Sequence, residues 1–210
     1  MSRDASLDNL SYKFYIDSAL TTPFSNLYQL THNINFSDNP QDFTLYLGST
    51  VSNRQLQANS DPGVDNITLT PVEQLAEWEA GTAYSAGDTV EPTVQNGFRY
   101  VCTTGGTSGS SEPTWPTSGI GSTVNDNGVV WELTSETHEP TEMTLALSES
   151  DLDGNTPGAA LSLGATINSG TANAVEVWIR IENAVDIISN NAGNPELAFQ
   201  FNEIIESATS

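Results

Sequence analysis

The sequence predicts an all-β protein: a β-sandwich, immunoglobulin-like or jelly-roll-like, carrying a small inserted β-domain. Three observations lead there. The polar residues are mostly Ser, Thr, Asn and Asp, and Lys13 is the sole lysine, a balance that suits strands and turns better than exposed helices. Short apolar runs alternate with period two and are separated by Gly, Pro and Asn-Gly signals. The stretch from Trp78 to Glu132 also differs from its surroundings, holding three of the four tryptophans and the only cysteine. At 210 residues the chain is long enough for one large or two small domains with a real core.

The elements follow in order. "DNLSYKFYID" alternates around Tyr12, Phe14 and Ile16. "DFTLYLGS" puts Phe43, Leu45 and Leu47 on one face and Tyr46 on the other, and Gly48-Ser49 signals a turn. "SDPGVDNITLTPV" turns at Asp61-Pro62-Gly63 and enters a strand at Ile67 and Leu69. Within the distinct middle segment, "GDTVEP", "GFRYVCTT" and "GVVWELTS" read as strands, and Asn127-Gly128 signals a type I′ hairpin. After it, "TEMTLALS" alternates Met143, Leu145 and Leu147. "NAVEVWIRIEN" is the clearest strand, with Val175, Val177, Ile179 and Ile181 facing one way and Glu176, Trp178, Arg180 and Glu182 the other. "ENAVDIISNNAGN" reads either as a short helix ended by Gly193 or as an irregular strand, and "ELAFQFN" gives a last strand from Leu197, Phe199 and Phe201. The flanks "TPVEQLAEW" and "TSETHEP" are polar and read as paired linkers. The expected organisation is a discontinuous body, residues 1–75 plus 135–210, with an inserted module at 76–134, an arrangement that costs little when entry and exit share an exposed loop.

A formal net charge of −22, from 27 acidic and five basic residues, argues against nucleic acid and against anionic membranes, since no basic stripe exists to neutralise phosphates. It fits a surface kept soluble by repulsion, which salt screens over about 8 Å or less. Hydrophobic content of 37% together with 16 glycines places the chain among globular proteins. Cys102 stands alone, so no intrachain disulfide framework is expected. "MSRDASLDNLSY" lacks the apolar core of a signal peptide, and no apolar run is long enough to span a bilayer.

Two resemblances add to this reading. On Trp78, "GTAYSAGDTV" (81–90), "GFRYVC" (97–102), "GTSGSSEPTWP" (106–116) and "GVVWEL" (128–133), the middle segment resembles a small module of tailed-phage virion proteins, similar in outline to the chitin-binding modules of bacterial chitinases; those are shorter and lack "EPTWP". On "NPQDFTLYLGS", "LQANSDPGVDNITLTP", "LDGNTPGAALSLGATINSG" and "NAVEVWIRIEN", the outer halves look like small structural proteins of tailed bacteriophages. The resemblance implies a non-enzymatic virion protein of the tail, baseplate or fibre, or a surface decoration. It would be made in the host cytoplasm and carried in the particle. Its partners would be other virion proteins and further copies of itself, with a host-surface glycan as a candidate ligand. Release by lysis would explain why no secretory signal is needed. The alternative is a carbohydrate-binding or hydrolytic accessory module of a secreted bacterial protein, which a signal peptide or a marked carboxylate pair would favour.

A sugar-binding face needs rings held coplanar and exposed, with polar neighbours. Trp78, Tyr84, Tyr100, Trp115 and Trp131 supply rings, but a domain this small also needs rings as its core. Glycan-contact candidates are therefore Trp115, set in a loop near two prolines, with Trp78 and Tyr84. Trp178 lies on the polar side of the best strand, where it either covers a second layer or sits in a subunit contact. "SESDLDGN" offers Asp151, Asp153 and Asn155 at alternate positions, the spacing by which oxygens converge on calcium, but its glycine and acid spacing fit an ordinary solvated turn better. His32 and His138 have no partner motif, Cys102 reads as a small buried hydrophobe, and no catalytic residue, zinc site or cofactor is expected.

Overall fold

The computed structural model describes residues 7–24, 39–182 and 197–209. The expected "ENAVDIISNNAGN" element, beyond its first residue, and His32 lie outside them. The described residues fall into two compact units. One holds those up to Glu73 and from Glu139 onward, and the other holds Gln74–His138.

The first unit opens with β1 (Lys13–Tyr15), β2 (Gln41–Gly48), β3 (Arg54–Ala58) and β4 (Thr68–Glu73). The second contributes β5 (Ala76–Glu77), β6 (Ala83–Tyr84), β7 (Thr89–Glu91), β8 (Phe98–Thr104), β9 (Gly106–Thr107), β10 (Thr123–Asp126) and β11 (Val129–Glu136). The first resumes with β12 (Met143–Ala146), β13 (Leu161–Ser162), β14 (Thr166–Asn168), β15 (Val175–Ile181), β16 (Leu197–Phe201) and β17 (Ile204–Ala208). Single 3₁₀ turns are the only helical pieces among the described residues, and no helix there is long and apolar enough to cross a membrane.

The first unit is a sandwich-like body. Its largest sheet runs β1-β2-β15-β12, all antiparallel, and two three-stranded sheets run β13-β4-β16 and β14-β3-β17. The two small sheets share a plan: the chain segments β3–β4, β13–β14 and β16–β17 each give one strand to both. One core joins all three sheets. Phe14, Leu45, Leu47, Leu145, Val177 and Ile179 come from the large sheet, Leu56 and Ile167 from one small sheet, and Leu69, Phe199 and Phe201 from the other. Phe14 meets Phe199 edge-on at 4.9 Å between centroids and stacks with Phe201 at 5.8 Å. Tyr12 is fully buried in this core, and its hydroxyl donates to the Ile167 carbonyl at 2.7 Å. Burial, with the nearby charge of Glu206, pushes that phenol up to about 12. Glu206 in turn accepts from the Ser11 amide and hydroxyl at 2.6 and 2.7 Å.

Several expectations need correction. Ile16 is 55% exposed. The strand stops at Tyr15 because Asp17 accepts the amides of Thr21 and Thr22 (3.0 and 2.8 Å) and closes a turn. Leu20, itself at φ 55°, is then buried close over Gly48. Leu147 is also exposed, since β12 ends at Ala146 and the chain enters a 3₁₀ turn. β16 is not the last strand, because β17 follows and pairs with β3. The flanks do carry the chain between the two units, which divide at Glu73/Gln74 and His138/Glu139, but they are not loose segments. "TPVE" is β4 strand, β11 continues to Glu136, and Ser135 and Thr137 are buried.

Candidate functional site

The second unit is built on the sheet β10-β11-β8-β7-β5, in which only the β5–β7 pairing is parallel, with a separate pair β6–β9. Alternation along β8 and β11 buries Tyr100, Cys102, Val129, Trp131 and Leu133 on one face. Trp78 and Val90 complete this core, and Tyr84, Phe98, Trp115 and Val124 pack against it. The β10–β11 turn is the expected hairpin: Asp126 pairs with Val129, and Asn127 and Gly128 stand at φ 51° and 99°. Type I′ geometry requires both to be left-handed, which an Asn tolerates and a Gly adopts freely.

The rings pack on one another. Trp131 is fully buried; Tyr84 meets it edge-on at 4.8 Å, and Trp115 lies 5.9 Å from it. Trp115 is tilted against Tyr100 at 4.4 Å. Their polar ends are engaged as well. The buried Asp126 accepts the indole N–H of Trp78 at 2.8 Å and that of Trp131 at 3.2 Å on one oxygen, and the Gly109 amide at 2.7 Å on the other. The Tyr84 hydroxyl accepts from the Glu79 amide at 2.8 Å. The Tyr100 hydroxyl donates to the Pro116 carbonyl at 2.7 Å.

Glu112 fastens the Trp115 loop to the loop after β7. Its Oε1 accepts both the Trp115 indole N–H at 2.8 Å and the Thr93 amide at 2.9 Å, and its Oε2 accepts the Thr93 hydroxyl. Burial alone would raise this carboxyl, but the bonds from Thr93 and Trp115 outweigh it and hold the group below its ordinary range.

These positions sort the expected glycan contacts. Trp78 is 5% exposed with its N–H turned inward, so it offers no face to a sugar, a correction that follows from its bond to Asp126. Tyr84 is half-buried with its hydroxyl bonded and its ring turned to Trp131. Trp115 is half-buried as well, packed on one side and tied at its nitrogen. Cys102 is buried, its thiol donates to the Thr104 carbonyl at 3.2 Å, and burial pushes the thiol up. His138 is half-buried at the end of the unit.

In the body, Trp178 is half-buried, between Thr44 of β2 and Ala146 of β12. It lies on the face away from the core, yet Ala146 and Thr144 on that same face are buried. The segment after β12 accounts for this. Arg180 grips Asp42 through two bonds of 2.8 Å and reaches Asp153 at 2.6 Å, and Asn155 donates to the Leu145 carbonyl at 2.7 Å. Leu152, between them, is buried outside the main core. The hydrogen bonds to Asp42 and Asp153 raise the Arg180 guanidinium further above its already high value.

The same bonds dispose of the calcium spacing. Asp151 accepts from the Ser148 hydroxyl at 2.7 Å, Asp153 pairs with Arg180, and Asn155 turns to Leu145. The three side chains point to separate partners rather than to a common centre. Among the described residues, no group of three or more His, Cys, Asp or Glu is placed to hold a metal ion.

Sequence reasoning missed Asp126 and Glu112. Asp126 ends β10 directly before the Asn-Gly turn, a place that by itself reads as solvated, and its partner Trp78 lies 48 residues away. Glu112 escaped in the same way, since its partner Thr93 lies 19 residues away. Compared with known proteins, the chain matches no family model, no curated protein and no solved structure.

Proposed function

We propose that this chain is a non-enzymatic structural protein of a tailed-phage virion. Its sandwich-like body makes the assembly contacts, and its second unit serves as a folded spacer on that body. The observation that carries the reading is that the aromatic rings and charged side chains of the candidate regions are bonded to one another within the chain. Asp126 holds two indoles, Glu112 holds Trp115 and Thr93, and Arg180 holds Asp42 and Asp153. Groups engaged in this way build a durable part rather than a reaction centre. The phage assignment itself rests on the sequence resemblance.

Assembly would use the accessible part of Trp178, since Trp is enriched at the centres of interfaces, and closed homo-oligomers are the common form of such parts. Glycan adhesion narrows to Trp115. One ring is worth about 1–3 kcal/mol by analogy with base stacking, so adhesion would need many copies on one particle.

Sedimentation of the purified chain over a wide concentration range should show discrete multimers, weakened in Trp178→Ala. Antibodies against the chain should decorate intact phage particles from cultures that express it. A chain that stays monomeric throughout and leaves particles undecorated sinks the proposal.

A further inference from the structure

The sequence contains two Asn-Gly pairs among the described residues, Asn96-Gly97 and Asn127-Gly128. Glycine after asparagine leaves the backbone nitrogen unhindered, so that it can approach the side-chain carbonyl. The structure treats the two pairs differently.

Asn96 is locked. Its Oδ1 accepts the Phe98 amide at 3.1 Å, and its Nδ2 donates at 2.9 Å to the hydroxyl of Tyr100. Tyr100 is fully buried and is itself fixed to Pro116. Freeing Asn96 for reaction therefore disturbs the core of the unit. Asn127 is exposed at the tip of the β10–β11 hairpin. Its Nδ2 donates to the Thr107 carbonyl at 3.2 Å, and the Gly128 amide donates to Asn125 Oδ1 at 3.2 Å. Both lie at the long end of the ordinary range of about 2.7–3.2 Å. β10 is also the edge strand of its sheet, four residues long and paired only with β11 among the described residues. Local opening is easiest at such a place.

We propose that Asn127 is a site of spontaneous self-modification, deamidating by way of a cyclic imide while Asn96 is spared. When the tip opens, the Gly128 nitrogen gives its proton to solvent and attacks the Asn127 side-chain carbonyl carbon. A C–N bond forms, the bond to the side-chain amide nitrogen breaks, and that nitrogen leaves as ammonia with a proton from water. Water, the only co-reactant, then opens the imide at either carbonyl, giving aspartate or isoaspartate. No electron is gained or lost. Either product adds a negative charge to the turn, and the isoaspartate also lengthens the backbone by one methylene. Both changes fall directly beside Asp126, the acceptor for Trp78 and Trp131.

The test is peptide mapping by mass spectrometry of the full chain, aged in mildly alkaline buffer, once native and once unfolded in urea. Unfolded, the two pairs should react at similar rates. Native, conversion at Asn127 should outpace that at Asn96 by about tenfold, the equivalent of roughly 1.4 kcal/mol in opening free energy. Asn127→Gln should abolish the mass gain in its peptide. Converted native protein should show altered tryptophan fluorescence. Native conversion at Asn96 as fast as at Asn127, or no native conversion at Asn127 after the unfolded control is complete, would overturn the proposal.

Discussion

The two units solve the same problem by different means. The body joins three sheets through one broad core made mostly of Leu, Ile, Val and Phe, with the buried Tyr12 hydroxyl bonded to a backbone carbonyl. The second unit closes a small sheet around a few large rings, and those rings are held by two carboxylates, Asp126 inside and Glu112 at the edge. A core of many similar apolar contacts spreads its stability over many residues. A core of few rings concentrates it, because each indole N–H needs an acceptor when buried. The lesson is that a unit too small for a large apolar core can reach a defined structure through polar nodes, at the cost of having places where a single change undoes it.

The sharpest test of this contrast removes the node. Asp126→Ala strands two indole donors and the Gly109 amide, each costing about 1–3 kcal/mol when buried without a partner. The second unit should unfold, or melt far below the body. In the body, Val177→Ala removes a fully buried side chain of β15 but strands no polar group, so its cost should follow the apolar volume lost, below the roughly 2–5 kcal/mol of a Leu or Ile truncation. Denaturant melts followed by tryptophan fluorescence and by circular dichroism separate the two. Equal losses from both substitutions would erase the distinction.

A second, smaller effect probes how tightly the small unit is drawn together. Gly105 lies between β8 and β9, and a Cβ there would stand 2.8 Å from the Tyr84 carbonyl oxygen. That neighbour is backbone and cannot swing aside. Gly105→Ala should destabilise the second unit by about 1–3 kcal/mol, as overpacking does, and leave the body untouched. Measured stability within error of the wild type would show that the β6–β9 pair yields more easily than its geometry suggests.

How much of this was legible from sequence follows the same divide. Strict alternation in "VEVWIRI" fixed β15 residue by residue, because a strand buried on one face must alternate. Asn127-Gly128 marked its hairpin because few residues accept two successive left-handed positions. Ile16 and Leu147 misled because alternation carries no information on where a strand stops; a turn held by Asp17 and a 3₁₀ turn after Ala146 ended them first. β17 escaped because Ile204-Ile205 breaks the period, and its partner β3 is remote in sequence. Asp126 escaped for a deeper reason. A carboxylate before a turn is normally solvated, and only the arrival of Trp78, 48 residues away, makes it a buried acceptor.

The smallest expected effect concerns acid. Glu112 titrates below its ordinary 4.5, because the bonds it accepts from Thr93 and Trp115 outweigh the opposing effect of burial. A carboxyl depressed in the folded state stabilises that state once it is ionised in both states, above the unfolded value. The contribution is lost as pH falls through the folded value, where protonation no longer discriminates between the two states. Glu112 should therefore add a constant increment to the second unit at neutral pH, and this should fade as pH drops below about 4.5. Glu112→Gln keeps the shape but replaces one acceptor oxygen by an NH2 group facing donors, so it should weaken the unit at pH 7 while losing this part of the pH dependence. The gap between wild type and variant in denaturation midpoint should narrow steadily under acid. The body, whose own carboxylates are the same in both proteins, serves as the internal reference, since its acid response should be identical in the two. A gap that stays constant from pH 7 down through the acid range would mean that the carboxylate charge plays no part in holding Trp115, and that the ring is kept in place by its packing against Tyr100 and Trp131 alone.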